Sequence, residues 1–143
     1  MISRFYLKEH LSFDEISCDF TNGLVIFSGP SGAGKSVLMN SIQTLFGNQD
    51  SKAKLAEMII EDHGITSDIF GLELDDDIII KQTSSTKTRF FLNNQSISRK
   101  DLSNFTSNFS KHLHLKDTSD FESDRIIDFL DTLISKKDSS FEN

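Results

Sequence analysis

The sequence is poor in the residues that usually mark special chemistry. It has one cysteine, Cys18, one proline, Pro30, and seven glycines in 143 residues. A single cysteine excludes an internal disulfide and suits a reducing compartment. No apolar run approaches the roughly 20 residues needed to cross a bilayer. The start, MISRFYLKEHLSF, lacks the apolar core of a secretory signal. A cytoplasmic location and no membrane partner are the expectation. Basic residues are outnumbered, 15 Lys and Arg against 22 Asp and Glu, for a net charge of −7. Non-specific affinity for nucleic acid comes mainly from Lys and Arg on phosphates, so composition gives DNA contact no support. Local patches can still depart from the net figure.

The length suits one domain with one core. No internal repeat and no domain linker is visible. ISRFYLK and SFDEISCDF alternate apolar and polar residues and read as two short strands. Cys18 alternates with Ile16 and Phe20, which suits a packed strand residue rather than a reactive thiol. Asn22-Gly23 is a turn signal. LVIFS is a continuous apolar run, as in a strand buried on both faces. In KSVLMNSIQTLFG, residues Leu38, Ile42, Leu45 and Phe46 share one helical face, and Gly47 is a C-terminal stop. SKAKLAEMIIEDHG reads as a helix ended by Gly64. SDIFGLEL, DIIIKQT and TRFFLNN are three strand candidates, with turns at Asp75-Asp76 and at 84–87. Asn93-Asn94 tolerates left-handed backbone and suits a tight turn. SRKDLSNFTSNFSK reads as a helix with Ser98 as N-cap and Asp101 at the third position, a loose capping box. HLHL is a short strand. SDFESDRIIDFLDTLISKK is a last helix, with Ile126, Leu130, Leu133 and Ile134 on one stripe. The polar tail, 135–143, is expected to fray.

The residues that carry chemistry stand between the apolar run and the first helix. Gly29, Pro30, Ser31, Gly32, Ala33, Gly34, Lys35 and Ser36 fit G-x-x-x-x-G-K-[ST], the phosphate-binding P-loop. Glycines let successive N–H groups point into one concavity. The following helix adds its free N–H groups and the positive end of its dipole. Lys35 is expected to reach the β- and γ-phosphates of ATP as a point charge. The Ser36 hydroxyl is expected to ligate Mg²⁺. The match is complete, and it has the strand-then-helix context that the motif requires.

No second acidic motif, an apolar strand ending in Asp, accompanies it. Asp75-Asp76-Asp77 precedes its apolar run, which suits a turn, and IIDFLD has helical spacing. A Ser-Gly-Gly signature is also missing, since the only later glycines are Gly47, Gly64 and Gly71. The chain is therefore expected to hold a nucleotide but not to hydrolyse it alone, and no catalytic residue is assigned. His112 and His114 are two apart, without a Cys or acidic partner at metal-site spacing, and read as surface or packed histidines. Phe90 and Phe91 point to opposite faces of a strand and read as packing rather than a base-stacking platform. Lys81, Lys87, Arg89, Arg99 and Lys100 make the β section locally basic, a slight pointer to DNA set against scattered solvated charges.

The order of these parts resembles the N-terminal head lobe of SMC-like, ABC-class ATPases, and within them the RecN family of bacterial DNA repair. That family opens with a strand, a loop and F..GL.V.TG.TGAGKS, then a helix ending in LG; here it ends LFG. A later family phrase, R-x-F-I-N-G-R-x-V-S, is similar to RFFLNNQSIS at 89–98, again before a helix. The resemblance covers residues 1–134. It implies an α/β P-loop NTPase lobe with a mixed β-sheet, a P-loop helix and an antiparallel β section. It also implies a coiled-coil helix starting near 120–134. The partners it implies are a C-terminal head lobe or second head that sandwiches ATP, and DNA at the nucleoid. One departure concerns the family's H-G-Q, whose Gln helps coordinate Mg²⁺. The corresponding residues are His114, Leu115 and Lys116. Either Lys116 substitutes electrostatically or the site is altered. An alternative is a small guanylate-kinase-like nucleotide kinase, because FSGPSGAGKSVL is similar to that phosphate loop. Such a kinase needs arginines soon after the loop, and none lies between 36 and 88.

Overall fold

The computed structural model describes residues 1–11, 13–48, 52–61, 77–107, 110, 127 and 130. The chain divides into two compact units, Met1–Phe109 and Ser110–Asn143. In the second, Ile127 and Leu130 are helical and half-exposed, at 55% and 48%. Leu130 belongs to the expected stripe; its other members, Ile126, Leu133 and Ile134, and HLHL with both histidines, lie outside the described residues.

The first unit is built on one six-stranded sheet. Its strands are β1 (Ile2–His10), β2 (Phe13–Asp19), β3 (Leu55–Ile60), β4 (Ile78–Ser84), β5 (Thr88–Leu92) and β6 (Gln95–Ile97). The order across the sheet is β2-β1-β3-β4-β5-β6, and every pairing is antiparallel. The two helices are α1 (Lys35–Leu45) and α2 (Arg99–Thr106). Alternation decides which face of each strand meets the core. Phe5 and Leu7 of β1, Ala56, Met58 and Ile60 of β3, Ile78 and Ile80 of β4, and Phe90 and Leu92 of β5 are buried on that face. Leu38, Ile42, Leu45 and Phe46 of the first helix segment close over them, with Leu102 and Phe105 of α2. The expected helical stripe is therefore the buried one.

The turns follow their residues. Asn93 and Asn94 take φ of 44° and 66°, the left-handed pair that a two-residue hairpin needs between β5 and β6. Asn93 Oδ1 accepts from the Ile79 N–H at 2.7 Å, which ties the turn to β4. Ser98 caps α2: its Oγ accepts from the Asp101 N–H at 3.0 Å. Phe90 is buried and Phe91 half-buried, so both pack as expected. Cys18 is half-buried on β2, and burial pushes its thiol up, as does the neighbouring Asp19. A raised thiol is a poor nucleophile.

Two expectations are corrected. The segment read as a helix from SKAKLAEMII is the strand β3, a central strand between β1 and β4. Its Ala, Leu, Glu and Met favour a helix in isolation. Hydrogen bonding on both edges and burial of Ala56, Met58 and Ile60 on one face override that preference. The apolar run before the phosphate motif is not a strand, and its residues are not buried on both faces. Leu24, Val25 and Ile26 are 87%, 44% and 74% exposed. No described strand pairs with it, and a strand persists only where a neighbour takes up its N–H and C=O groups. Phe27 alone turns back, packing edge-on against Phe20 with ring centroids 6.0 Å apart.

Candidate functional site: the phosphate loop

Residues 29–36 lie between the exposed run and the core helix. Gly32 and Gly34 take φ of 82° and 97°, values that other residues reach only with strain. A Cβ at Gly32 would meet nothing within 4 Å, so the loop is open at that position. The Ala33 N–H donates to the Pro30 carbonyl at 3.2 Å and fixes the turn. Gly34 is the N-cap of α1, and no side chain caps that helix. Its first-turn N–H groups therefore lack the oxygen partner that a Ser or Asp cap would supply. Lys35 and Ser36 are the first two helical residues, with Lys35 half-buried and Ser36 exposed. The Lys35 ammonium bends back and donates to the carbonyls of Gly29 at 2.5 Å and Pro30 at 2.8 Å. Backbone donors, a helix N-terminus, one ammonium and one hydroxyl form a donor set that suits a phosphate chain with a divalent cation.

The far end of α1 is fixed more firmly. Gly47 has φ 79°, and a Cβ there would lie 2.8 Å from the Ser103 nitrogen and 2.9 Å from the Arg99 carbonyl oxygen. Arg99 Nε donates to the Gly47 carbonyl at 3.1 Å, and Thr106 Oγ1 donates to the Phe46 carbonyl at 2.7 Å. The Phe46 carbonyl, at the C-cap, is one that a helix end leaves unpaired. The close approach of α1 and α2 was legible only as a glycine stop; its partner helix carried no signal in sequence.

Of the locally basic residues, Lys81 stands 3.8 Å from Glu57. Arg89 and Arg99 line one shallow depression of about 350 Å³ with Ser96 and Ser98. Among the described residues no group of three or more His, Cys, Asp or Glu is arranged to hold a metal ion. Asp77 is exposed, and Asp75 and Asp76 lie outside the described residues, as does Lys116. No described helix is long and apolar enough to cross a membrane.

Sequence comparison supplies the family. Residues 4–143 match the model of the AAA domain family. The DNA repair protein RecN of Helicobacter pylori (strain J99 / ATCC 700824) is 30% identical over 145 residues, covering 98% of this chain and 28% of that protein. RecN of Rickettsia bellii (strain RML369-C) is 30% identical over 108 residues, covering 65% of this chain and 20% of that protein. The chain thus spans less than a third of the relatives it matches. Among solved structures, an SMC ATPase superposes with a TM-score of 0.58 at 16% identity, over 92% of this chain and 98% of that one. An SMC head bound to the C-terminal winged-helix domain of ScpA gives 0.54 at 19% identity, over 72% and 38%. These likenesses fix the fold as that of an SMC-type P-loop head lobe, and they do not favour the kinase alternative. The chain belongs to the AAA domain family, with a sequence like that of the RecN proteins and a fold like that of SMC heads.

Proposed function

We propose that this chain is the ATP-binding N-terminal part of a RecN-like ATPase in recombinational repair of DNA double-strand breaks. The observation that carries the proposal is the phosphate loop: two left-handed glycines, an uncapped helix N-terminus and the Lys35 ammonium at one place. Gly29, Pro30, Ser31, Gly32, Ala33, Gly34 and Lys35 hold the phosphates, and Ser36 holds Mg²⁺. Bound nucleotide supplies the phosphoanhydride; this chain binds and orients it. Hydrolysis waits for groups that this sequence lacks, among them a second acidic motif and a Ser-Gly-Gly signature.

The missing groups are those of a C-terminal head lobe or a second head, in the reading supported by the RecN relatives. The exposure of Leu24, Val25 and Ile26 supports it as well, since an apolar strand-forming run beside the phosphate loop has no described partner. Residues 1–134 form the head lobe, with a coiled-coil helix beginning near 120–134, and the half-exposed helical Ile127 and Leu130 are consistent with its start. DNA is the partner of the whole protein, at the nucleoid in the cytoplasm. Calorimetric titration of the chain with Mg-ATP and Mg-ADP tests the reading. Binding that Lys35→Ala weakens supports it; no binding to either nucleotide overturns it.

A further inference from the structure

The two ends of α1 are held differently. Its C-terminal half is buried from Ser41 to Phe46 and is tied to α2 by Arg99 and Thr106. Its N-terminal half is more open: Leu38 is buried, but Ser36, Met39 and Asn40 are exposed, as are Leu24, Val25 and Ile26 of the run that leads into the loop. Yet this is the end that carries Lys35. The Phe13 side chain, from the sheet, reaches it. The three atoms nearest to a Cβ built on Gly34 all belong to the Phe13 ring, Cζ at 2.4 Å, Cε2 at 3.1 Å and Cε1 at 3.4 Å. The tip of the ring therefore fills the space beside the backbone of the residue that precedes Lys35. Phe13 opens β2, opposite His10 of β1, and packs against the core behind it. An aromatic ring has two torsions and little freedom to yield.

We infer that Phe13 is a positioning residue for the phosphate loop: its ring tip fixes Gly34, and through it the direction of the Lys35 side chain and of the first helical N–H groups. The inference rests on the reading that this loop binds nucleotide phosphates. Glycine has the largest backbone freedom of any residue. Without the ring, Gly34 samples conformations in which the loop donors no longer converge. Binding then falls because the loop must be ordered at the moment of binding.

The 143-residue chain and its variants are titrated by calorimetry with Mg-ATP and, separately, with inorganic tripolyphosphate. Phe13→Ala is expected to weaken both by a similar factor, about tenfold, as for a misplaced binding group. Phe13→Leu restores most of the affinity. Phe13→Tyr weakens binding, because its hydroxyl grows from Cζ, the atom nearest Gly34. Should Phe13→Ala fail to fold, the Leu and Tyr pair decides alone, since a merely apolar packing role tolerates both. Ile16→Ala, also on β2 and packed on the core, is expected to lower the melting temperature without changing affinity. Equal losses from Phe13→Ala and Ile16→Ala, or loss of ATP but not tripolyphosphate affinity, overturn the inference. So does wild-type binding by Phe13→Ala. A wild-type chain that binds neither ligand overturns the phosphate reading itself, and the inference with it.

Discussion

The Lys35 ammonium donates to the Gly29 carbonyl at 2.5 Å, across six residues of the phosphate loop. The charge that a triphosphate would meet is held by the loop's own backbone. An incoming phosphate exchanges these bonds for stronger ones to an anion. Lys35→Ala is expected to weaken triphosphate binding at least about tenfold, roughly 1.4 kcal/mol. Titration calorimetry checks it, and equal ATP affinity of both forms refutes the assignment.

The isolated chain is expected to release phosphate from ATP negligibly. Turnover at ordinary enzyme rates that disappears with Lys35→Ala would contradict this. Stimulation of such turnover by GMP would bring back the kinase alternative.

Gly47→Ala is expected to be among the costly substitutions. The position has a left-handed φ, and a Cβ would come within 2.9 Å of two backbone atoms of α2. Strain and overpacking together are expected to destabilise by about 2 kcal/mol or more. Denaturant unfolding measures the loss.

The hairpin turn separates two similar residues. Asn93 uses its side chain, accepting from Ile79 N–H and donating to the Asp77 carbonyl at 3.3 Å. Asn94 is exposed at φ 66°. Asn93→Ala is expected to cost about 1–3 kcal/mol, through an unpaired N–H and left-handed strain. Asn94→Gly is expected to be neutral or stabilising by a few tenths of a kcal/mol, since glycine takes that φ freely. Paired unfolding curves test the contrast.

His10 gives the first unit a pH dependence. Its Nδ1 is buried without a hydrogen-bond partner among the described residues, and burial holds its pKa below the ordinary value of 6.5. The unfolded chain therefore takes up a proton before the folded one. Stability is full above about pH 6.5 and falls as pH drops from there through the lowered folded value. His10→Gln is expected to flatten this part of the profile. Melting temperatures of both proteins between pH 5 and pH 8 check it; parallel curves would contradict it.

The parts of the fold legible in sequence were those decided locally. The stripe Leu38, Ile42, Leu45 and Phe46, the Ser98 cap and the Asn93-Asn94 turn each depend on residues a few positions apart. The loop at 29–36 stood out as a candidate because its pattern requires glycines at fixed spacing, and Gly32 and Gly34 do take left-handed φ. What failed was decided by partners far along the chain. β3 has helix-favouring residues and becomes a strand because β1 and β4 flank it. The run at 24–26 has strong strand character and no described neighbour to express it. The contact of Phe13 with Gly34 spans 21 residues and has no periodic signature, so neither residue's spacing announces the other.

The order of the strands has a consequence for how the lobe is made. Apart from β2, whose follower β3 pairs with β1 instead, each strand pairs with the one that follows it in the chain. During synthesis every new strand emerges beside a template already in place. The β1–β2, β4–β5 and β5–β6 pairings close small loops and form quickly, whereas β1 and β3 pair across the phosphate loop and α1 and close a long one. Domains take shape from the N-terminus as the ribosome advances. The last of the six described strands ends at Ile97, and α2 follows within nine residues to close over the sheet. The platform beneath the phosphate loop is thus expected to build outward from its N-terminal strands as the chain is made.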